Sequence, residues 1–477
     1  MAEKKSTKKS LKGVCKREDA VNKLSEKETL ALENYIETYM RYLAYSKTER
    51  RAYAEAVRLL ETKGFKPLES FKTLKAGDKV YRGYHGKTLF AAVIGKDTVA
   101  TGVNVVGGHT DAPRIDCKPL PLAEKSGIAY FDTHYYGGIK KFQWVTRPLA
   151  LYGTCVKTNG EKVNISIGDN PGDPIFMISD ILPHLGQKQS GLKLGDAFPG
   201  ENLDVIVGSA PVPASKDDDA VKEKVKLNIL RILEDEYDLT EQDLMSAELE
   251  FVPQGMPREM GFDRSMISGY GHDDRICAFA GLQAMMDLAG TPKKTAVVLL
   301  CDKEEIGSVG ATGMDSTFFE NSIAELCVRQ EKNYSDIVVR RALEASSMLS
   351  ADVCAAADPM FPECSSPNNM AKLNAGTCMI KYTGSRGKAM ANDASAEFVG
   401  KLRGIFDKAN VVWQMGELGP VDVGGGGTIA MFMSRYGMNV IDMGTPLLNM
   451  HAPCEVASKL DTYMTYKAYK AFFELNA

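Results

Sequence analysis

The 477-residue sequence contains no Cys-x-x-Cys pair, no apolar run long enough to cross a bilayer as a helix, and no large excess of one charge. Each absence excludes something. The ten cysteines are scattered from Cys15 to Cys454. Without paired spacing they read as reduced thiols of a cytoplasmic protein, not as a disulfide framework. Apolar stretches such as residues 295–301 are far too short for a membrane span. A formal net charge of −4 supplies nothing global to recruit nucleic acid or a membrane surface. The start of the chain is basic (Lys4, Lys5, Lys8, Lys9, Lys12), but no apolar stretch follows it. It therefore reads as a solvated tail and not as a secretory signal. What is present is ordinary for a globular protein: 44% hydrophobic and 25% charged residues, in a chain long enough for a large core and more than one domain.

Thr48 is placed to cap a helix with Glu49 in its first turn, Ala54, Ala56, Leu59 and Leu60 on its apolar side, and Gly64 at its end. An earlier helix is expected over 27–45. Residues 89–94, 103–106, 295–301 and 439–443 read as strands, the third buried on both faces. Helical patterns cover 274–288, 393–406 and 460–475. Strands alternating with helices predict an α/β sandwich with a mostly parallel sheet. The stretch 120–251 differs, with short alternating runs and glycine and Pro-Gly turns, and reads as an inserted β-rich domain. One amphipathic helix is expected in it over 219–236, with Val221, Val225, Ile229 and Ile232 as the stripe. The chain thus divides into an N-terminal extension (1–47), a main domain (48–119 and 256–477) and an insert (120–255). The run 424–427 is not a phosphate loop, since no Gly-Lys-Ser/Thr follows; it reads as a tight turn.

Histidine is scarce, with six in the chain: His85, His109, His134, His184, His272 and His451. His109 ends a strand two residues before Asp111, which suits a metal ligand whose second nitrogen is oriented by a carboxylate. A lone histidine is more often a structural or surface residue. Glu304 and Glu305 follow a buried apolar strand. Adjacent residues diverge, so one carboxylate could hold a metal while the other serves as base to a water; an exposed acidic loop at a helix start is the competing reading. Asp273 could cap a helix or bridge two cations. Asp352 follows Met348-Leu349, and His451 lies after the last strand. Together these supply imidazoles and carboxylates suited to metals that favour nitrogen and oxygen.

Five segments, GGHTDAPRID (107–116), GHDDRICAFAG (271–281), CDKEEIGSVGATG (301–313), SADVCAAADP (350–359) and GTPLLNMHAPCE (444–455), resemble in order the motifs of the aspartyl aminopeptidase family. THYYGGIKKFQWVTRPLALYG (133–153) resembles the start of that family's inserted domain. It separates this resemblance from the more distant glutamyl-aminopeptidase-like family, which shares the ligand pattern. The resemblance implies a three-layer α/β sandwich of the zinc exopeptidase type with an inserted β-rich dimerisation domain, a cytoplasmic homododecamer built from dimers, and hydrolysis of peptides with a free N-terminus. It implies two divalent ions, Zn2+ with Co2+ or Mn2+ as alternatives, held by His109, Asp273 as the bridge, Glu305, Asp352 and His451. Glu304 becomes the general base and Asp111 the residue that orients His109. His184 resembles a histidine that reaches a neighbouring subunit's site, and Lys381 a lysine that meets acidic substrate side chains.

The sequence departs from the family where Ala355-Ala356 replaces His-Ala, and where Thr146-Arg147 replaces Asp-Arg. Neither change touches the ligand set; they bear on substrate preference and on some subunit contacts. A related two-metal deacylase or dipeptidase, and a non-catalytic assembly protein, are the competing functions.

Overall fold

The computed structural model describes residues 24–213 and 222–475; the basic tail lies outside them. The first helix, Glu26–Tyr45, is opened by a reciprocal cap. Ser25 Oγ accepts from the Glu28 amide, and the Glu28 carboxylate accepts from the Ser25 amide, which satisfies two of the donors a helix start leaves free. Its buried face carries Leu32, Tyr35, Ile36, Tyr39, Tyr42 and Leu43. Tyr35, Tyr39 and Tyr42 close on Phe279 with ring centroids 5.6, 5.7 and 5.0 Å away. The helix therefore shares one core with the helices His272–Met286 and Lys459–Leu475. The second helix, Glu49–Thr62, has Thr48 as its cap.

A nine-stranded mixed sheet organises the chain, in the order Lys66–Pro67, Lys79–Tyr84, Thr88–Val93, Ala296–Cys301, Asn104–His109, Ser347–Ser350, Asn439–Gly444, Thr377–Ile380 and Trp413–Met415. Its four central strands, from Ala296–Cys301 to Asn439–Gly444, are mutually parallel, while antiparallel pairings flank them. On one side the mixture arises because a hairpin, Lys79–Tyr84 with Thr88–Val93, is added where a crossover helix would have kept the sheet parallel; on the other, Thr377–Ile380 runs antiparallel to Asn439–Gly444. Alternate strand residues face opposite ways, as the pleat requires. Val106, Val298 and Leu300 join the core beneath the His272–Met286 helix. Val105, Val297 and Leu299 join a second core with the helices Phe318–Gln330 and Asp336–Glu344.

Residues 114–253 contribute a separate seven-stranded sheet, antiparallel throughout, with its own core around Phe131, Trp144 and Phe251. It begins at the strand Arg114–Lys125, six residues before the position expected. The helix expected over 219–236 is observed as Lys224–Tyr237; residues 219–221, with Val221, lie outside the described residues. Its buried residues are Val225 and Leu233, while Ile232 is 39% exposed. Leu233, eight residues beyond Val225, takes the buried place that the expected stripe gave to Ile232. A five-stranded sheet, Arg258–Met260, Met266–Gly269, Glu455–Ser458, Pro446–Leu448 and Cys354–Ala355, closes the side that carries His451. The nine cysteines among the described residues are free. No described helix is long and apolar enough to cross a membrane. In the glycine run, a Cβ on Gly424 would stand 1.6 Å from the Leu418 carbonyl oxygen, so close backbone approach demands glycine there.

Candidate metal centre

The parallel strands at the centre of the nine-stranded sheet deliver their carboxyl ends to one edge, where open α/β sheets place ligands. Asn104–His109 ends on His109, and in register with it Cys301 ends the strand that continues into Glu304 and Glu305. On the other side Ser347–Ser350 leads to Asp352, and Asn439–Gly444 leads toward His451. Asp273 comes from the entry of the His272–Met286 helix, where Asp273 and Asp274 have non-helical dihedrals and a cis peptide joins them.

These side chains converge. His109 Nε2 lies 3.2 Å from Asp273 Oδ1 and 4.0 Å from both Glu304 Oε2 and Asp352 Oδ1. His451 Nε2 lies 3.3 Å from Asp273 Oδ2 and 3.5 Å from Glu305 Oε2. The two oxygens of Asp273 thus face different histidines. Ligand atoms of His109, Asp273 and Asp352 fall within 4.8 Å of one another, as do those of Asp273, Glu305 and His451. The second nitrogen of each ring is committed elsewhere. His109 Nδ1 donates to the Asp111 carbonyl at 3.0 Å and His451 Nδ1 to the Gly138 carbonyl at 3.1 Å. A carbonyl can only accept, so both Nε2 atoms turn toward the carboxylates.

Glu304 and Glu305 sit on the short turn Glu304–Ile306, bracketed by Lys303 at φ +69° and Gly307 at φ +96°. That backbone sends the neighbouring side chains apart. Glu305 faces His451 with its side chain 3% exposed, and Glu304 faces His109 with 16% exposed. Asp111 anchors the turn, accepting from the amides of Glu304 and Glu305, each at 3.2 Å, and from the Tyr136 hydroxyl at 2.8 Å.

Electrostatics show which charge the site would accept. Burial, then the charges of Asp273 and its neighbours, pushes Glu305 and Asp352 well above the usual carboxylate range. The same causes bring Glu304 to about 7, against the opposing pull of His109. Burial opposes charge on His451, yet the contact with Asp273 raises it to about 10. Burial also works against an ionised Asp273, but hydrogen bonds from His109 and His451 hold it low. Buried acids this close together repel unless positive charge lies between them. Glu305 Oε1 is buried without a hydrogen-bond donor, and Asp273 Oδ1 meets the His109 ring. Divalent ions fit this set, and donors limited to imidazole nitrogen and carboxylate oxygen suit zinc, cobalt or manganese.

A cleft of about 310 Å³ opens over Asp273, Glu304, Asp352 and His451, with Val353, Ile380, Leu418, Val421 and Met450 among its walls. Lys381 does not line it; its Nζ is paired with Asp393 at 2.5 Å, whereas Arg386 and Lys388 reach the lining. His184 is exposed on the seven-stranded-sheet region and is not among the lining residues. Sequence reasoning missed Glu455, which accepts from the amides of Asp273 at 3.0 Å and His451 at 2.9 Å. Burial and the Asp273 charge push it up to about 8. Its place at the end of the last quoted motif was the available signal.

A mixed α/β sheet with an imidazole–carboxylate cluster at its carboxyl edge defines the class: an α/β protein with a candidate metal centre. Comparisons with known proteins narrow it. The family model described as aminopeptidase I zinc metalloprotease (M18) matches residues 42–473. The chain is 47% identical to a probable M18 family aminopeptidase 1 of Clostridium acetobutylicum, over 91% of this chain and 93% of that one. A crystal structure of an M18-family aminopeptidase from Thermotoga maritima superposes with a TM-score of 0.92 at 42% identity, covering 96% of this chain and 99% of that one. The structure of a yeast mApe1 dodecamer shares the fold, with a TM-score of 0.75 at 20% identity over 93% of this chain and 97% of that one. The chain belongs to the M18 family of zinc metallo-aminopeptidases, the group to which its five motifs pointed.

Proposed function

We propose that this metallo-aminopeptidase holds two divalent ions, Zn2+ by preference with Co2+ or Mn2+ as alternatives, and releases an acidic or neutral N-terminal residue from peptides with Glu304 as general base. The divided carboxylate of Asp273, one oxygen toward each histidine, carries this reading. His109 and Asp352 would hold one ion, His451 and Glu305 the other, and Asp273 would contribute to both. Bound ions supply Lewis-acid polarisation of the scissile carbonyl and make water a better nucleophile at neutral pH. Glu304 takes a proton from that water and returns it to the departing amine. Its carboxylate faces His109 and lines the cleft, a position from which it can take that proton and return it. Asp111 orients His109 and, through two amide hydrogen bonds, the turn that carries Glu304.

The apolar walls favour a neutral first residue. For an acidic one, Lys381 is the assigned cation and must leave Asp393 to serve; Arg386 in the lining is the nearer alternative. Apolar cores on both faces of the main sheet support a three-layer main domain (48–119 and 256–477), with 1–47 as the N-terminal extension. Residues 120–255 are assigned to an inserted oligomerisation domain. Exposed Ile181, Leu182 and Leu185 flank His184 there and support its delivery to a second subunit, within a dodecamer of dimers. A cytoplasmic setting agrees with the nine free thiols among the described residues. The test is a panel of aspartyl, glutamyl, alanyl and leucyl peptides, each free and N-acetylated, with the zinc-loaded enzyme. Cleavage of free amines alone is expected; hydrolysis of the blocked twins would overturn the aminopeptidase assignment.

A further inference from the structure

The turn Tyr136-Gly137-Gly138 leaves the seven-stranded sheet and touches the metal centre three times. Tyr136 ends the strand Ile128–Tyr136 and pairs in register with Arg114. The Arg114 guanidinium stands 3.9 Å from the centre of the Tyr136 ring. It is itself held by Asp116 at 2.7 Å, Glu49 at 3.2 Å and Glu250 at 3.4 Å. The ring is thereby clamped, and its hydroxyl donates to Asp111 Oδ2 at 2.8 Å. Burial and the Asp111 charge keep that hydroxyl protonated and so a donor. Gly137, at φ +78°, lies against Glu305, where an added Cβ would be 3.4 Å from the Glu305 Cβ. The Gly138 carbonyl accepts from His451 Nδ1.

We propose that this turn is a positioning element of the metal centre: Tyr136 sets Asp111, and through it His109 and the Glu304–Glu305 turn, while Gly138 sets His451. His109 ends a strand and His451 lies in a loop far from it in sequence, and one three-residue turn addresses the outer nitrogen environment of both. The inserted sheet is then part of the catalytic apparatus, because its strand end fixes the spacing of the two histidines. This inference rests on the two-metal reading above.

Tyr136→Phe in the full chain removes one oxygen and keeps the ring over Arg114. Partners that orient metal-bound histidines are worth about 10- to 100-fold in metal affinity or activity. Zinc affinity, read by competition with a chromogenic chelator, is expected to fall by about that factor. The visible bands of the cobalt-loaded protein shift, and kcat falls while KM stays within about twofold. Tyr135→Phe, at the exposed neighbouring tyrosine, changes none of these. Should Tyr136→Phe fail to fold, Gly138→Ala decides: its Cβ would stand 3.3 Å from His451 Nδ1, and weakened zinc binding is expected. Zinc affinity and cobalt bands identical to wild type, in a wild type that binds zinc and cleaves free-amine peptides, overturn the positioning role alone. A wild type that binds no zinc overturns the two-metal reading and this proposal with it.

Discussion

Replacing Glu304 by glutamine removes one ionisable oxygen and leaves untouched everything else this residue does. Its amide still donates to Asp111, so the turn keeps its place. Its side chain lines the cleft and stands 4.0 Å from His109 Nε2, but belongs to neither of the two three-residue groups able to hold an ion. The variant should therefore bind zinc like wild type and fail at proton transfer. General-base catalysis contributes about 10²- to 10⁴-fold, so kcat is expected to fall by that factor, a barrier increase of about 3–5 kcal/mol. KM should change little. The assay is steady-state hydrolysis of leucyl and aspartyl peptides, with zinc content measured on the same preparation. Glu305→Gln is the counterpart and should lose metal before it loses kcat at saturating zinc. A Glu304→Gln enzyme within tenfold of wild type, with zinc content intact, would refute the role of Glu304 as base.

Three further outcomes follow from the packing and charges. Phe279→Ala opens a cavity where Tyr35, Tyr39 and Tyr42 converge and should cost about 3–5 kcal/mol in urea unfolding of the metal-free chain; a cost below about 1 kcal/mol would contradict that packing. His272 is fully buried against the Tyr39 hydroxyl at 2.6 Å, and burial lowers its pKa from 6.5 to about 3. Above pH 6.5 it is neutral in both states. As pH falls through that window the unfolded chain binds the extra proton, so stability drops by about 1.4 kcal/mol per unit, or about 2 kcal/mol by pH 5. His272→Gln should flatten the difference in unfolding free energy between pH 7 and pH 5; an unchanged difference would count against a neutral buried ring. Lys381→Met should alter the aspartyl-to-leucyl ratio of kcat/KM by no more than about fivefold, the scale of one exposed ion pair, since Lys381 is already paired with Asp393. A larger change would mean that it leaves that pair for substrate.

The parts of this protein legible in its sequence are those where one strong local signal suffices. The apolar run followed by Glu304 and Glu305 marks a buried parallel strand and its carboxyl end, and it sits where expected, as Ala296–Cys301. Thr48 and Gly64 mark the second helix. Each candidate ligand alone had a structural reading at least as good, and it was the order of five motifs that joined them. What stayed hidden depends on tertiary contact. Glu49 reads as a first-turn acid, yet it is buried between Lys87 at 2.9 Å and Arg114 at 3.2 Å, and those cations hold it ionised against burial. Glu455 and Tyr136 act through hydrogen bonds to residues more than twenty positions away or to backbone amides, which no periodicity records. The edge strands of the main sheet escape because Lys66–Pro67 and Trp413–Met415 are only two and three residues long, too short to show alternation.

Metal stoichiometry tests the shared role of Asp273 most directly. Wild type and Asp273→Asn would be loaded with zinc, dialysed against metal-free buffer and analysed by elemental mass spectrometry, with circular dichroism confirming that both are folded. Two zinc ions per wild-type chain and the weakening of both in Asp273→Asn are expected, since each three-residue group contains Asp273. A single ion per wild-type chain, or an Asp273→Asn protein that retains two, would contradict a dinuclear centre joined by that carboxylate.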